Sequence, residues 1–405
     1  MKNFFRIFLF ILIFLSACRK PETYFQGNAS LRFSVDTLVF DTVFTTVGSI
    51  TKRIKVFNDL NEDLLINEIK LAGTGNSPYR LNIDGLQSDI ANDVILRAND
   101  SLHIFVETTI DPTINNLPFI ITDSITFITN GFLQDVDLVA WGQNANFYYN
   151  DSVYVFENDT IFYYYGIAEP TIWTNDKPHV IYGNLFVTNA STLDILAGAK
   201  VYLHHNANII IGEGSLNILG EISNPVVISS DRLDEYYRDI PGQWGFIWLT
   251  NLSTNNQIKN TIIKNGTIGL QVDTVANSSD PTLSIENTII SNHSNCGIRA
   301  VSSKIEASNC QINDNGIHDV FLFAGGDYRF SHCTFANYST MHQAPSIRMS
   351  NYYEDVNGNE QLRPMERADF ENCIIFGKIE SEIGMEESEN TTFNYKFNNC
   401  LIKLK

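Results

Sequence analysis

The sequence is short of positive charge: its 405 residues include 27 Lys and Arg against 46 Asp and Glu, for a formal net charge of -19. No basic stripe is visible, so nucleic-acid binding is disfavoured, because phosphate backbones would be repelled. Acidic polysaccharides would also be repelled unless a local basic patch or a cation intervened. Long runs of helix-forming Ala, Leu, Glu and Lys are absent as well. The abundant Asn, Thr, Ile, Val, Phe and Tyr favour strands and turns instead.

The N-terminus has the three parts of a signal peptide, predicted over residues 1–17. Lys2 and Arg6 precede the apolar run IFLFILIFL, which is too short for an ordinary transmembrane helix. The ending Leu-Ser-Ala-Cys resembles the lipobox of bacterial lipoproteins, which implies cleavage before Cys18 and acylation of its sulfur. Acyl chains on Cys18 would anchor the chain to a membrane. Residues 18–30 are polar and predict a flexible tether.

Residues 31–146 predict an antiparallel β-sandwich. Segments that alternate apolar and polar residues, such as TKRIKVFND and DSLHIFVETTI, are separated by Gly, Asn and Asp turn signals. The stretches VFDTVFTTVGSITKRIKVFNDLNEDLLI and LRANDSLHIFVE resemble immunoglobulin-like sandwiches of the Hydin-like type. That resemblance implies a spacer or binding module and concerns a shape rather than an activity. Residues 147–164 are expected to form a connector.

A repeat governs residues 165–405. Segments such as IKNTIIKN, IENTIISN, SNCQIND and ENCIIFG place Asn or His before Thr or Cys and an apolar strand. The marker positions Thr261, Thr288, Cys310 and Cys333 lie 27, 22 and 23 residues apart, by subtraction. This spacing predicts one turn of a parallel β-helix per repeat. The next marker, Cys373, comes 40 residues later, which predicts an insertion at about 341–367.

The second half resembles right-handed parallel β-helix proteins of the pectate-lyase-like fold. The quoted repeats carry this resemblance, together with the opening turns STLDILAGAKVYLHHNANIIIGEGSLNILG. The whole chain resembles uncharacterised β-helix lipoproteins of the Bacteroidetes, through the lipobox and the segments VAWGQ, IWTNDKPHVIYGNL and DRLDEYYRDIPGQWGFIWL. The predicted fold class is therefore all-β, with an antiparallel sandwich followed by a right-handed parallel β-helix.

Five cysteines follow Cys18. They are Cys296, Cys310, Cys333, Cys373 and Cys400. Four stand at the repeat position, which predicts an internal stack of small apolar side chains. Export to an oxidising compartment leaves disulfides possible, and their pairing stays open. No CxxC pair exists, so a zinc site is not expected.

The segment 231–249 is the richest in polar groups. A loop with Asp231, Asp234 and Asp239 could supply the acid and base of a glycosidase or lyase. Aromatic and cationic side chains there could bind a sugar chain: Tyr236, Tyr237, Arg238 and Trp244. The alternative interpretation is structural: Trp244 lies at the end of the core, and the charged side chains pair with each other on a solvated loop. We favour this structural interpretation.

The insertion adds Tyr352 and Tyr353 as possible ligand contacts. Asp355, Asn357 and Asn359 follow the alternating spacing of calcium loops, but the closing Glu of an EF-hand is missing. Asn357-Gly358 is a hairpin signal, so a protruding hairpin is the preferred interpretation. Calcium remains the only cofactor to consider, and no other is expected. His204 and His205 adjoin on a strand and would point to opposite faces, so they are not expected to share a metal.

The pectin-acting enzymes of this fold carry signatures that are missing here. Neither Asn-Thr-Asp nor Gly-His-Gly occurs, and the Arg-Ile-Lys of residues 53–55 lies in the sandwich. We therefore expect an envelope lipoprotein, most simply on the outer membrane, that presents its β-helix for glycan or protein binding or as a scaffold. The alternative is a polysaccharide lyase or glycoside hydrolase.

Overall fold

The computed structural model describes residues 23–27, 30–45, 48–111, 119–155, 160–273 and 280–405. The predicted signal peptide and Cys18 lie outside these ranges. The described residues fall into two compact units, one ending at Gln143 and the other beginning at Asn144. Within the same ranges, no helix is long and apolar enough to cross a membrane.

The first unit is a β-sandwich of two five-stranded sheets, ordered β1-β3-β8-β5-β6 and β2-β10-β9-β4-β7. Its strands are β1 (Arg32–Phe33), β2 (Thr37–Phe44), β3 (Lys52–Phe57), β4 (Leu64–Leu71), β5 (Tyr79–Ile83), β6 (Leu86–Gln87), β7 (Ile90–Leu96), β8 (Ser101–Thr108), β9 (Phe119–Thr129) and β10 (Phe132–Gln143). The strand pairs are antiparallel except that β10 runs parallel to β2.

Alternation of side chains builds the sandwich core. In β3, Ile54 and Val56 are fully buried while their neighbours are at least partly exposed. Phe33 and Phe127 have ring centroids 4.8 Å apart, and the Tyr79 hydroxyl donates to the Ile121 carbonyl over 2.9 Å. The core therefore forms without cysteine, as the sequence requires.

The second unit is a parallel β-helix of three sheets, each named here by its first strand. The β11 sheet contains β11 (Asn146–Tyr149), β15 (His179–Tyr182), β18 (Lys200–Leu203), β21 (Val226–Ser230), β24 (Thr261–Lys264), β27 (Ile289–Ser291), β30 (Gln311–Asn313), β33 (Thr334–Asn337), β38 (Ile374–Gly377) and β41 (Leu401–Ile402). The β12 sheet contains β12 (Ser152–Val155), β13 (Ile161–Ile167), β16 (Asn184–Val187), β19 (Asn208–Ile211), β22 (Ile247–Leu249), β25 (Ile268–Val272), β28 (Cys296–Val301), β31 (His318–Phe323), β34 (Ile347–Ser350) and β39 (Ile383–Glu386). The β14 sheet contains β14 (Thr171–Trp173), β17 (Ser191–Leu196), β20 (Gly214–Leu219), β23 (Asn256–Lys259), β26 (Leu283–Glu286), β29 (Lys304–Ser308), β32 (Gly326–Ser331), β37 (Met365–Glu371) and β40 (Lys396–Asn398).

Each complete coil after the first contributes one strand to each sheet, while the first contributes both β12 and β13 to the β12 sheet. The fold class predicted from the sequence is confirmed. Neighbouring strands pair in parallel, except that β12 and β13 form an antiparallel hairpin. Ile, Leu and Val from all three sheets fill one continuous core. The first coil closes that core with aromatic rings: Tyr148 stacks on Trp173 with centroids 4.8 Å apart, and Trp173 stacks on His179 at 4.4 Å.

The Asn or His of the repeat marks one particular turn, the one from the β14 sheet to the β11 sheet. The six residues there have φ between 47° and 54°, namely Asn260, Asn287, Asn309, His332, Asn372 and Asn399. This left-handed conformation is tolerated by Asn far better than by most residues, which explains the repeat. The Thr or Cys that follows begins the next β11-sheet segment.

Two regions differ in detail from their sequence assignment. The predicted connector, 147–164, contains strands that already pair with the β-helix through β11 and β13. The predicted insertion, 341–367, includes a regular coil strand, β34. The extra residues of that coil therefore lie in two places, 338–346 before β34 and 351–364 after it. The Thr and Cys markers lie in only one of the three turns of each coil. Their spacing therefore shows that residues are added to the coil, but it does not show that they are added at two different turns.

Candidate functional site

The outer face of the β12 sheet carries a row of side chains able to contact a ligand. Five residues hold the same register on successive coils, and we call them the outer strip: Trp248, Gln271, Arg299, Phe321 and Arg348. All five are half-buried. They point outward because the residues on either side of each, such as Ile247 and Leu249, point into the core. With about 4.8 Å between paired strands, the strip extends roughly 19 Å along the β-helix.

Hydrogen bonds fix the first half of the outer strip. The Trp248 indole Nε1 donates to Asp273 Oδ2 over 2.7 Å, and Gln271 Nε2 donates to Asp273 Oδ1 over 2.6 Å. The Asp273 carboxylate thus holds both side chains, while the Trp248 and Phe246 rings meet edge to face with centroids 6.2 Å apart. This end combines an aromatic surface with oriented polar groups.

Arginines and phenylalanines alternate in the second half. The Arg348 guanidinium carbon lies 5.1 Å from the Phe321 ring centroid, and that of Arg299 lies 6.0 Å from the Phe323 centroid. Arg348 also forms an ion pair with Glu386. Both distances lie within the range of cation–π attraction. The guanidinium groups of Arg299 and Arg348 are therefore held beside aromatic rings on the outer face, and one Arg348 nitrogen donates to Glu386.

One of the predicted ligand contacts joins this surface. Residues 351–364 form the expected hairpin, whose strands β35 (Tyr352–Glu354) and β36 (Glu360–Leu362) pair antiparallel. The Tyr353 ring lies 6.2 Å from that of Phe323, and the Arg363 guanidinium carbon lies 5.4 Å from the Tyr353 centroid. The hairpin therefore extends the aromatic and cationic surface beyond the strip, with Tyr352 paired opposite Leu362.

The candidate calcium residues hold the turn of that hairpin. Asp355 Oδ1 accepts from the backbone N–H of Asn357 over 2.9 Å and from that of Asn359 over 3.0 Å. These bonds lower the pKa of Asp355 below its ordinary value, the one from Asn359 most strongly. Gly358 adopts a φ of 77°, as this turn requires. Among the described residues, no three His, Cys, Asp or Glu side chains come together as a metal site.

The charges of the 231–249 loop are mostly paired with each other. Arg238 Nη1 lies 2.8 Å from Glu235 Oε1, and its Nε lies 3.3 Å from Asp239 Oδ2. Asp231 Oδ2 lies 2.7 Å from His204 Nδ1, and the Asp231 side chain is only 10% exposed. The structure thus assigns these carboxylates partners within the loop or beside it. Asp234 precedes the short 3-10 turn Glu235–Tyr237.

The aromatic residues of this loop have different environments. Trp244 is 1% exposed, and its Nε1 donates to the Lys264 carbonyl over 2.8 Å, so the indole belongs to the core and is not a surface contact. Tyr237 lies under the Arg232 guanidinium at 4.6 Å. Tyr236 is 76% exposed and contacts Tyr237 edge-on. The favoured structural interpretation of this segment agrees with these contacts.

The two adjoining histidines also separate. The His204 ring stacks on Tyr182 with centroids 4.5 Å apart, in addition to its contact with Asp231. His205 is exposed in the following turn. Burial and the charge of Asp231 together raise the pKa of Tyr182 above its ordinary range. The contact between His204 and Tyr182 is therefore one of packed aromatic rings.

Four of the cysteines form a column of free thiols along the β-helix, whereas Cys296 begins β28 in the β12 sheet. None of the five cysteines that follow Cys18 forms a disulfide, and four of them are buried. Cys310, Cys333, Cys373 and Cys400 each place Sγ near the backbone carbonyl two residues earlier, at 3.2, 3.3, 3.3 and 3.4 Å. Their role in the structure is to fill the corner that begins each β11-sheet strand.

Sequence reasoning missed the outer strip. Its members stand 23, 28, 22 and 27 residues apart, by subtraction, which matches the coil length found for the Thr and Cys markers. Extending that period to Trp, Arg and Phe would have aligned them. The residue types differ from coil to coil, however, so no motif drew attention to the row. The predicted sites in the loop and in the hairpin do not contact one another in the described structure.

Comparison with known proteins gives a fold likeness only. The sequence matches no protein-family model, and it matches no curated protein. A family 123 glycoside hydrolase from Clostridium perfringens is 7% identical, with a TM-score of 0.22 over 29% of this chain and 28% of that chain. The mannuronan C-5 epimerase A-module of Azotobacter vinelandii is 12% identical, with a TM-score of 0.31 over 60% and 85%. The catalytic unit of an α-1,3-glucanase from Streptomyces thermodiastaticus is 10% identical, with a TM-score of 0.26 over 86% and 77%.

This chain spans little more than a quarter of the Clostridium hydrolase. At such TM-scores the likenesses carry no argument about activity, and the function has to be inferred from the geometry.

Proposed function

We propose that this protein is a membrane-tethered lipoprotein of the cell envelope whose β-helix presents the outer strip to a glycan. The observation that supports this most directly is the row of Trp248, Gln271, Arg299, Phe321 and Arg348 on one face of five coils. Their half-buried side chains combine ring faces with planar hydrogen-bonding groups. No step of bond cleavage is needed for this role.

The chemistry of sugars fits such a surface. One face of a pyranose ring is lined with C–H groups, which pack on aromatic rings, while its hydroxyls exchange hydrogen bonds with planar polar side chains. Trp248 and Phe321 supply the rings, and Gln271, Arg299 and Arg348 supply the polar groups. Because the strip follows the β-helix axis, it suits an extended chain of sugars better than a single ring.

The tether is the second part of the proposal. Acylation of Cys18 would place the protein on a membrane, most simply the outer membrane. The reach would come from the part of the predicted tether before Phe25, because Phe25 packs on the sandwich core, its N–H donates to the Asp63 carbonyl over 2.9 Å, and its carbonyl accepts from Asn130 Nδ2 over 2.7 Å. Replacing the lipidated residue tests this: Cys18→Ser should move the protein from the membrane fraction to the soluble extract of its host. Membrane attachment that persists in Cys18→Ser would contradict it.

Glycan binding is tested by titrating purified protein against an array of envelope and plant glycans. Trp248→Ala and Arg299→Ala should each weaken binding by at least about tenfold, because truncating an anchor at the centre of an interface costs ~2 kcal/mol. Arg329→Ala is the matched control, since Arg329 is exposed on the outer face of the β14 sheet. Equal losses in all three variants, or no binding to any glycan, would remove the proposal.

The alternative of a lyase or hydrolase requires carboxylates free to act on the substrate. Asp231 contacts His204, and Asp239 contacts Arg238, as described above. Incubation with a polysaccharide panel should accordingly release neither reducing ends nor unsaturated products. Turnover that is lost in Asp231→Asn would favour the enzyme instead.

A further inference from the structure

One sheet of the sandwich gathers positive charge on its outer face. In the β1-β3-β8-β5-β6 sheet, inward residues such as Ile54 and Ile104 are fully buried, so the residues that alternate with them face outward. Four of the seven Lys and Arg residues in 31–143 hold such outward positions, namely Arg32, Arg53, Lys55 and Arg80. The strands of this sheet place one acid among them, Glu107. In a chain whose net charge is -19, this face is a local exception.

Two of the four cations have no partner of opposite charge. Arg32 Nε lies 2.6 Å from Asp59 Oδ2, and Lys55 Nζ lies 5.3 Å from the Phe57 ring centroid. Arg53 and Arg80 are exposed, and among the described residues neither forms an ion pair. They stand on β3 and β5, the strands on either side of β8, so they are about 10 Å apart across the sheet.

A groove lies beside these arginines. Its volume is about 280 Å³, close to the lower end of the range of small-molecule sites, which is about 300 Å³. Phe105, which is 37% exposed, is paired with Arg53 on one side and with Asn82 on the other. Asn82 is in turn paired with Gln87. The side chains that line the groove include Arg80, Asn82, Gln87, Phe105 and Glu107.

These groups have complementary chemistry. The Arg80 guanidinium can form two parallel hydrogen bonds with one carboxylate, and the Phe105 ring can pack on C–H groups. Asn82 Oδ1 accepts from the Gly85 N–H over 2.9 Å, which leaves Asn82 Nδ2 as a donor for a ligand. The Glu107 carboxylate accepts hydrogen bonds, so it suits hydroxyl groups. A ligand that satisfies all of them carries an apolar face, hydroxyls and a negative charge.

We propose that this face of the sandwich binds an acidic glycan, in which sugar rings bear carboxylates. One ring packs on Phe105, its carboxylate pairs with Arg80, and a chain that crosses β8 brings a second carboxylate to Arg53. Acidic polysaccharides are repelled by the net charge of the chain, and this face supplies the local positive charge that their binding requires. The site lies in the other compact unit from the outer strip and does not depend on it.

The mixture of charges selects a sugar over other anions. An anionic lipid surface or a nucleic acid presents dense negative charge, which Glu107 in the groove and Asp84 in the turn after β5 would oppose. A neutral glycan would leave the charges of Arg53 and Arg80 unused. A carboxylated sugar offers hydroxyls to Glu107 and a charge to the arginines.

The test is calorimetric titration of the purified protein with short oligomers of galacturonate, glucuronate and mannuronate, each beside its carboxyl-reduced form. We expect at least one acidic oligomer to bind saturably and its reduced form to bind at least about tenfold more weakly. Arg80→Ala and Phe105→Ala should each weaken binding by at least about tenfold. Arg97→Ala is the matched control, because it removes the same charge from an exposed residue after β7 of the other sheet, and it should bind as the unmodified protein does.

Trp248→Ala separates this site from the outer strip, and it should retain binding of the acidic oligomer. Binding that is lost in Trp248→Ala and complete in Arg80→Ala overturns the sandwich site while leaving the proposed function in place. Equal binding of the reduced form, an equal loss in Arg97→Ala, or no binding by any acidic oligomer also overturns it.

Two further probes test the other occupants. Arg80-dependent sedimentation with phosphatidylglycerol vesicles, or Arg80-dependent binding of an oligo-glutamate peptide as strong as that of the best oligomer, overturns the proposal by assigning the face to a bilayer or to an acidic protein. The comparison of acidic and reduced oligomers uses the unmodified protein, so it remains decisive if a variant does not fold.

Discussion

Asn309 donates a hydrogen bond from Nδ2 to Oδ1 of Asn287, on the preceding coil, over 2.7 Å. Both residues adopt a φ of 52° at the turn that leads into the β11 sheet. Asn372 repeats the contact with His332 Nε2 at 3.2 Å. The side chains at this turn thus link neighbouring coils outside the core, and the backbone there needs a residue that tolerates the left-handed conformation.

Replacing Asn309 separates those two contributions. Asn309→Ala removes the hydrogen bond and replaces a residue that tolerates the left-handed conformation with one that adopts it less readily, so we expect a loss of about 2 kcal/mol in the free energy of unfolding. Asn309→Gly loses the same hydrogen bond but adopts the conformation freely, so its loss should be smaller. Urea unfolding followed by tryptophan fluorescence measures both. Equal losses would mean that backbone conformation contributes nothing at this turn.

The carboxyl group of Asp319 makes the stability depend on pH. It is fully buried at the start of β31, where Oδ1 accepts from Asn315 Nδ2 over 2.8 Å and from Asn337 Nδ2 over 3.1 Å. Burial raises the pKa of Asp319 to about 8, and the nearby charge of Asp314 acts in the same direction. In the unfolded chain the pKa returns to about 3.8. At a pH between these two pKa values, the folded state therefore keeps a proton on Asp319 that the unfolded chain has released.

The sign of the effect follows from that difference. The contribution of Asp319 to the free energy of unfolding is fully present below about pH 4 and is lost progressively as the pH rises towards about 8. Asp319→Asn keeps an acceptor oxygen for Asn315 and Asn337 but cannot titrate. Subtracting its unfolding free energy, measured from pH 4 to 9, from that of the unmodified protein isolates the Asp319 contribution. A difference that does not fall with pH would show that Asp319 is ionised in the folded protein.

Truncation of two aromatic residues of the 231–249 loop should change stability by very different amounts. Trp244→Ala removes a fully buried indole from the β-helix core, and we expect a loss of roughly 3–5 kcal/mol. Tyr236→Ala removes an exposed ring and should change stability by less than about 0.5 kcal/mol. Thermal and urea unfolding of the two variants provides the comparison. A small effect of Trp244→Ala would mean that the loop is not part of the folding unit.

The sequence predicted the β-helix because one of its three turns has strict requirements. Asn or His at a positive φ, followed by Thr or Cys in a confined corner, recurs at every coil from Asn260 to Asn399. The other two turns accept many residue types, so β34 could not be recognised inside its long coil. The first coil lacks this signal for a related reason. It closes the core with Tyr148, Trp173 and His179 instead of the repeat, so the sequence predicts only a connector over 147–164.

The candidate site was harder to predict than the fold. Inward positions are restricted to apolar residues by the core, whereas the outward positions that hold Trp248, Gln271 and Arg299 are free to vary. Local density of charge instead drew attention to 231–239, where the structure shows the charges neutralising one another. Three-dimensional alignment of distant residues is what defines the outer strip, and only the coil period carries that information in the sequence.

The column of cysteines provides a last prediction, because its packing has two possible explanations. The sequence suggested small apolar side chains stacked in the interior. The structure shows a second property that thiols share with hydroxyls: Thr288 Oγ1 donates to the Glu286 carbonyl over 2.9 Å, and Cys333 Sγ lies 3.3 Å from the Ser331 carbonyl in the equivalent place. If the hydrogen bond matters, a hydroxyl should replace the thiol better than a methyl group does.

Thr and Val have nearly the same shape, so Cys333→Thr and Cys333→Val differ mainly in that donor. We expect Cys333→Thr to be the more stable of the two by about 1 kcal/mol, since Val leaves the Ser331 carbonyl without its side-chain partner. Parallel urea titrations of the two variants under reducing conditions measure the difference. A Val variant as stable as the Thr variant would favour apolar stacking as the whole explanation. It would also imply that Thr261 and Thr288 occupy the column for their size and not for their hydroxyls.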